Sequence, residues 1–272
     1  MSDNVSEAFE LRQRYKNFRI LVIGRANAGK TTILKRVCNA EEDENPFLYN
    51  EEMESLVRHI YFLERGHHNI EQAFAFKSNP EFIFHDSPGF EKGDESQLQE
   101  VQEFIEKCAK ATEVKDQLHA IWFCVVTDSS RPLLDLEKKF FADKIYGNVP
   151  LIAVFTKFDD FINQVTNPRM SLKKKRELAK QHLETDFEQP LSDYKLPKKA
   201  MLCLEGMPLN LYTCCYLSAL LDMHKNGDKC QKQVKELMEK TAESLDNLAL
   251  KLLFVLVQKN NIELGINYAI KK

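Results

Sequence analysis

The chain has 272 residues, of which 43% are hydrophobic and 29% charged, with a formal net charge of −3 at neutral pH. That apolar content is ample for a buried core and excludes a globally disordered chain. The near-neutral balance excludes a surface that binds polyanions as a whole and leaves one local basic run, Lys173-Lys174-Lys175-Arg176, read as a solvated helix face. Seven cysteines without a C-x-x-C pair suit reduced core thiols rather than a disulfide framework or a zinc site. The polar start "MSDNVSEAFELRQRYKNF" lacks the apolar core of a secretory signal, and Ser2 excludes N-myristoylation. The most apolar stretch, "LALKLLFVLV" (248–257), falls well short of the roughly 20 residues a membrane span needs. The expectation is a soluble, cytoplasmic protein with neither a membrane nor a nucleic acid as partner.

Residues 1–17 read as a polar extension. "RILVIG" (19–24) is a first strand, leading into "GRANAGKTT" (24–32) and a helix over "TTILKRVCNA". The stretch from Glu41 to Asn69 is long and acidic at its start, as expected of a mobile loop. "QAFAFK" (72–77) alternates and predicts an edge strand, while "EFIFHD" (81–86), "HAIWFCVV" (119–126) and "PLIAVFT" (150–156) are unbroken enough to be strands covered on both faces. In "SQLQEVQEFIEKCAKA" a capping box from Ser96 to Gln99 opens a helix whose stripe is Leu98, Val101, Phe104, Ile105 and Cys108. A further helix is predicted from Asn167 as N-cap and Pro168 at its first position. The last strand is open between "KAMLCLEGM" (199–207) and residues 209–219, with Gly206 to Leu220 as a possible insertion. From about Asp228 a helical tract carries Val234, Leu237, Met238, Leu245, Leu248, Leu252 and Leu256 and is expected to pack on the domain. Strands alternating with helices predict a three-layer α/β/α fold of the P-loop type with a mainly parallel sheet, a domain over 18–225 and a helical extension over 226–272.

Gly24-Arg25-Ala26-Asn27-Ala28-Gly29-Lys30-Thr31 satisfies G-x-x-x-x-G-K-[ST], with Thr32 continuing into the helix. Small residues at 24, 26, 28 and 29 let backbone N–H groups turn inward around phosphates, and the helix N-terminus adds its positive end. Lys30 reaches the terminal phosphates and the Thr31 hydroxyl ligates Mg2+. A strand then delivers Asp86 to its C-terminal end in D-x-P-G, where the carboxylate serves Mg2+ and the Gly89 amide approaches the γ-phosphate. These elements serve ATP and GTP alike. Thr156-Lys157-Phe158-Asp159 resembles the [NT]-K-x-D guanine motif: a carboxylate at 159 pairs with the two adjacent donors of guanine, Lys157 lays its stem along the base, and Thr156 stands where Asn is commoner, shortening the usual amide tie to the phosphate loop.

The three motifs in this order resemble the P-loop GTPases of the translation-factor-related class. "RGHHNIEQAFAFKSNPEFIFHDSPGFEKGDE", "LHAIWFCVVTDSSRP" and "VPLIAVFTKFD" look more closely like the HSR1-related, 50S ribosome-binding-GTPase-like G-domain proteins of the fungal type. The resemblance implies GTP or GDP binding with Mg2+ and, by class analogy, GTP hydrolysis. Three departures bear on turnover. Phe90 stands where related enzymes carry a water-orienting glutamine. No threonine occurs between Thr32 and Thr112, so backbone groups, Ser55, His67, His68 or Asn69 would replace the switch hydroxyl. Asn27 holds the position used by potassium-stimulated relatives, which implies a K+ ligand, against the alternative of an Asn suited to a tight loop. Ser218-Ala219 resembles the S-A motif that meets guanine O6, an alternative to the strand at 199–207. Two functions therefore stand: a slow GTPase stimulated by K+, a protein partner or self-association through the switch regions, and a GTP-loaded binding module that hydrolyses little.

Overall fold

The computed structural model describes residues 17–41, 43–50, 55–57, 69–90, 95–204, 219–246 and 248–257. Its centre is β1 (Phe18–Gly24), buried at every position and flanked by two parallel neighbours, β5 (Asn79–Asp86) and β6 (Ala120–Val126). Parallel pairing continues outward through β7 (Leu151–Thr156) to β8 (Met201–Cys203). Continuous Ile, Val, Leu and Phe runs suit these strands because helices cover both of their faces. Beyond β5 the direction reverses: β4 (Phe74–Phe76), β2 (Phe47–Asn50) and β3 (Ser55–Val57) add antiparallel, giving the order β3-β2-β4-β5-β1-β6-β7-β8. The mainly parallel α/β/α sheet expected from the sequence is therefore present.

Several local expectations change. The 72–77 segment is not an edge, since β4 lies between β5 and β2, and part of the stretch read as a mobile loop is the strand pair β2–β3. β8 lies beside β7, so residues 199–207 supply the last strand among those described.

Among the described residues, α1 (Lys30–Cys38) contacts the C-terminal helices, whereas α2 (Glu95–Ala109), α3 (Asp135–Ala142), α4 (Phe158–Val165), α5 (Leu172–Leu183) and α6 (Gln189–Asp193) follow in chain order in a layer on the other face of the sheet. Leu98, Val101, Phe104, Ile105 and Cys108 of α2 are the buried stripe that their spacing predicts. The helix opens at Glu95, so Ser96 lies in its first turn and does not cap it. At α5 the correction is larger: Asn167 Oδ1 accepts from Arg169 N (3.0 Å) and its carbonyl from Met170 N (3.0 Å), making a turn, and the N-cap is Ser171, which accepts from Lys174 N at 3.5 Å. Asn-Pro serves turn initiation here because the Asn side chain satisfies the local backbone before a helix can start.

α7 (Ala219–Ser244) and α8 (Leu248–Val257) close the opposite face. Trp122 Nε1 donates to Thr241 Oγ1 (3.1 Å), whose own hydroxyl donates to Leu237 O (2.7 Å). Phe254 packs edge-on against Phe18 and Phe82, at 4.7 and 5.9 Å between ring centres. Burying a Phe side chain in this way stabilises by about 1.5–3 kcal/mol. The helical tract breaks after Leu245, which is fully buried, so Leu248 turns out to solvent instead of continuing the stripe. No helix among the described residues is long and apolar enough to cross a membrane.

A polar network is buried at the root of β1. Arg19 N donates to His119 Nδ1 (2.9 Å), Arg19 Nε to Lys115 O (2.9 Å), and Arg19 Nη1 to His85 Nε2 (2.9 Å). Guanidinium has no acceptor, so His85 accepts on Nε2 and donates from Nδ1 to Ile70 O (2.7 Å). His119 likewise donates from Nε2 to Val114 O (2.8 Å). Both imidazoles are thus held neutral: burial, with Arg19 adding to it, pushes His85 down to about 3 and His119 to about 4.

Candidate functional site

Because β5, β1, β6 and β7 are parallel, their C-terminal ends open on one rim of the sheet, where ligands bind in such folds. The register pairs Val22 with Asp86, Gly24 with Cys124, and Val126 with Thr156. The three sequence motifs thereby come to one edge.

The phosphate loop follows from its small residues. A Cβ on Gly24 would stand 2.6 Å from Cys124 O, so only glycine fits against β6. Ala28 N closes the turn onto Arg25 O (3.2 Å), with Asn27 at φ +57° and Gly29 at φ +80°. Asn tolerates that left-handed conformation, and its side chain is exposed. Gly29 is the N-cap of α1 and gives no side-chain cap, and a Cβ there would meet nothing within 4 Å. The start of α1, the positive end of a helix, thus has no side-chain cap and room beside Gly29, which fits an anion. Thr31 and Thr32 are half-buried beside it.

Lys30, nearly buried, donates from Nζ to Gly24 O (3.1 Å) and Arg25 O (3.3 Å) and lies 3.6 Å from Asp86 Oδ1. A hydroxyl at Thr31 and a carboxylate at Asp86 are hard oxygen donors of the kind Mg2+ takes together with phosphate oxygens. No group of three or more His, Cys, Asp or Glu side chains among the described residues is placed to hold a metal alone. The D-x-P-G segment closes on the phosphate loop: a Cβ on Gly89 would sit 2.7 Å from Ala26 N, so glycine is required by backbone approach. Phe90 turns away from this rim into the core, fully buried, with its ring 6.0 Å from Phe123 and 6.4 Å from Phe140.

At the end of β7, Thr156 is buried, Lys157 takes φ +60° as N-cap of α4, and Asp159 lies in the first turn, half-buried. Phe158 between them is fully buried and packs on Phe161, which fixes the loop and leaves Lys157 and Asp159 partly open. The Thr156 hydroxyl donates to Val125 O at 3.4 Å, while Thr156 O accepts from both Thr127 N (3.1 Å) and Thr127 Oγ1 (2.7 Å).

Ser55 lies in β3, four strands from β1 and therefore about 19 Å across the sheet. Asn69 is exposed, its side chain accepting from Glu71 N at 2.9 Å. His67, His68 and Ser218 lie outside the described residues, and Ala219 is the first residue of α7. Sequence reading missed the partner of Arg25. Its Nε and Nη2 meet the two oxygens of Glu137 (2.9 and 2.7 Å), its Nη1 meets Arg131 O (3.0 Å), and Glu137 is fully buried. No local signal announces a pair 112 residues apart.

A parallel sheet with a glycine-framed phosphate loop, a strand-end aspartate facing its lysine, and a third loop two strands away define a nucleotide-binding protein of the P-loop class. The model of the 50S ribosome-binding GTPase family matches residues 19–157, a little over half of the chain, and the protein belongs to that family. Guanine-nucleotide binding goes with that membership. A solved structure described as a probable GTP-binding protein, engB, is similar at 16% identity and a TM-score of 0.35, over 79% of this chain and 98% of that one. No curated protein sequence matches significantly.

Proposed function

We propose that this protein is a Mg2+-dependent GTPase of low intrinsic rate, stimulated by K+, by a protein partner or by self-association. The observation that carries the reading is the convergence of Lys30, Asp86 and the Thr156–Asp159 loop on one rim, with Lys30 Nζ 3.6 Å from Asp86 Oδ1. Backbone N–H groups from Gly24 to Thr32 cradle the phosphates, and Lys30 exchanges its carbonyl partners for phosphate oxygens. Thr31 and Asp86 would hold Mg2+, which supplies charge neutralisation for the oxygens of the transferring group. Asp159 and Lys157 select guanine, and the Gly89 amide faces the γ-phosphate. Water attacks the γ-phosphorus in line, the bond to the β–γ bridging oxygen breaks, and GDP and phosphate leave.

The slow rate follows from Phe90, whose burial leaves residue 90 nothing with which to orient the attacking water. Asn27, exposed on the phosphate loop, is the residue that would help ligate K+. A cytoplasmic location belongs to the same proposal and is supported by the free, buried thiols of Cys38 and Cys124.

The buried Phe90 also favours a second reading, a GTP-loaded module that works by presenting its switch surface. Single-turnover hydrolysis of GTP, measured in K+ and in Na+ over a range of protein concentrations, separates the two. Acceleration by K+ or by concentration supports the enzyme. An uncatalysed rate under every condition supports the module.

A further inference from the structure

The base loop and the phosphate loop lie at the ends of strands separated by β6, and in this chain the residue expected to tie them is a threonine whose hydroxyl goes to Val125 O. What links them instead is the segment 127–137, which runs from the end of β6 into the first turn of α3. At one end Thr127 holds Thr156 O through both its N–H and its hydroxyl. In the middle, Ser129 N and Oγ both donate to Gln164 Oε1 on α4, at 3.0 Å each. At the other end the Arg25–Glu137 pair is bidentate and buried, and Arg131 O and Pro132 O accept from the Arg25 guanidinium at 3.0 and 3.2 Å. Glu137 Oε2 also accepts from Leu134 N (2.8 Å), so one carboxylate fixes both the strap and the phosphate loop.

We propose that the 127–137 strap mechanically couples guanine recognition to phosphate binding, with Arg25 and Glu137 as its positioning residues. The proposal rests on the assignment of Thr156–Asp159 to the base. It has a direct corollary for the chemistry: Arg25, the one arginine within the phosphate loop, is committed to Glu137 and to strap carbonyls and does not serve as a built-in cation for the γ-phosphate. A buried bidentate pair suits this role because it is geometrically specific and tolerates little slack. Loosening one end of a strap anchored at both ends and at Ser129 should therefore be felt at the other.

The test uses the full chain with Glu137→Gln and, separately, Gln164→Ala, which is exposed and leaves the buried pair intact. Release of a fluorescent GDP analogue and the affinity ratio of GDP to IDP, which lacks the exocyclic amine, are measured with Mg2+ present. Nucleotide-free melting temperature reports the fold. Glu137→Gln should speed release about tenfold and lower the GDP/IDP ratio about fivefold, within the usual range of coupling between sites. Gln164→Ala should shift both in the same direction by less, and Glu137→Asp, which keeps the charge, should restore part of the loss. If Glu137→Gln does not fold, Gln164→Ala alone decides. Faster release with an unchanged GDP/IDP ratio overturns the coupling, as do wild-type values for both quantities. Asp159→Asn is the control: if it leaves the ratio unchanged, the base assignment itself has failed, whereas a collapsed ratio there with wild-type behaviour in the strap variants condemns the strap alone.

Discussion

Replacing Phe90 by Gln tests whether slow turnover comes from the missing amide or from where residue 90 points. By side-chain chemistry alone, Phe90→Gln should install the water-orienting group and accelerate hydrolysis. The structure argues otherwise, because the ring is fully buried between Phe123 and Phe140 under α3, away from the phosphate loop. Truncating a buried Phe costs about 3–5 kcal/mol, and an amide left without partners there adds about 1–3 kcal/mol. Partial relaxation offsets some of this, so a loss near 4 kcal/mol is a fair working value. For a domain of this size each kcal/mol moves the melting temperature by about 2–4 °C, giving a fall of about 10 °C. The assay pairs a thermal melt with single-turnover hydrolysis on the same preparation. The expected result is a lower melting temperature with no gain in rate. A variant that melts like the parent and hydrolyses GTP tenfold faster would show that residue 90 reaches the phosphate, and would refute the placement on which the slow-enzyme reading depends.

The remaining expectations are more local. Gly89→Ala places a methyl 2.7 Å from Ala26 N, a backbone atom that cannot step aside; overpacking of about 1–3 kcal/mol should appear mainly as weakened GTP binding in an equilibrium titration, with GDP less affected. Asp159→Asn should cut the preference for GTP over XTP by about a hundredfold or more, measured by competition, because the buried pairing to two donors is lost. Thr241→Val removes the acceptor of Trp122 Nε1 and leaves that buried N–H unpaired, so urea unfolding should show a loss of about 1–3 kcal/mol. The values of His85 and His119 in the folded protein, about 3 and about 4, lie below the ordinary 6.5, so the unfolded chain binds more protons in mild acid. Their stabilisation is present above about pH 6.5 and falls with pH by up to about 3 kcal/mol per unit until about pH 4. Urea unfolding between pH 6.3 and 5 should show that slope, roughly halved in His119→Asn.

The parallel half of the sheet was legible because each strand is an unbroken apolar run, and only a strand covered on both faces needs one. The antiparallel half was not. Phe47–Asn50 and Ser55–Val57 are four and three residues long, sit at the far edge of the sheet, and carry no run that distinguishes them from loop. β4 reads as a strand from sequence but not as an interior one, since alternation of large and small residues in Phe74–Phe76 says nothing about who pairs with it. Helix starts failed for a related reason. Asn167 and Ser171 are both good N-caps, and the choice between them is made by an Asn side chain satisfying Arg169 N, which no spacing rule encodes.

At the site, legibility divides between backbone and side-chain constraints. Gly24, Gly29 and Gly89 act through conformations and approaches that favour glycine alone, so the motif and the geometry are nearly the same statement. Arg25 is the opposite case. It stands in the same loop, its charge suggests a phosphate contact, and yet its guanidinium is spent on Glu137, which sequence reading left as an unremarked position on a short helix. A motif fixes where the backbone goes, whereas the direction of a long side chain is set by whichever buried countercharge the tertiary fold supplies. That distinction explains why Thr156, whose departure from the usual asparagine was visible at once, gave no hint of its replacement: the compensating contacts, from Thr127 to Glu137, belong to a segment that holds no nucleotide motif at all.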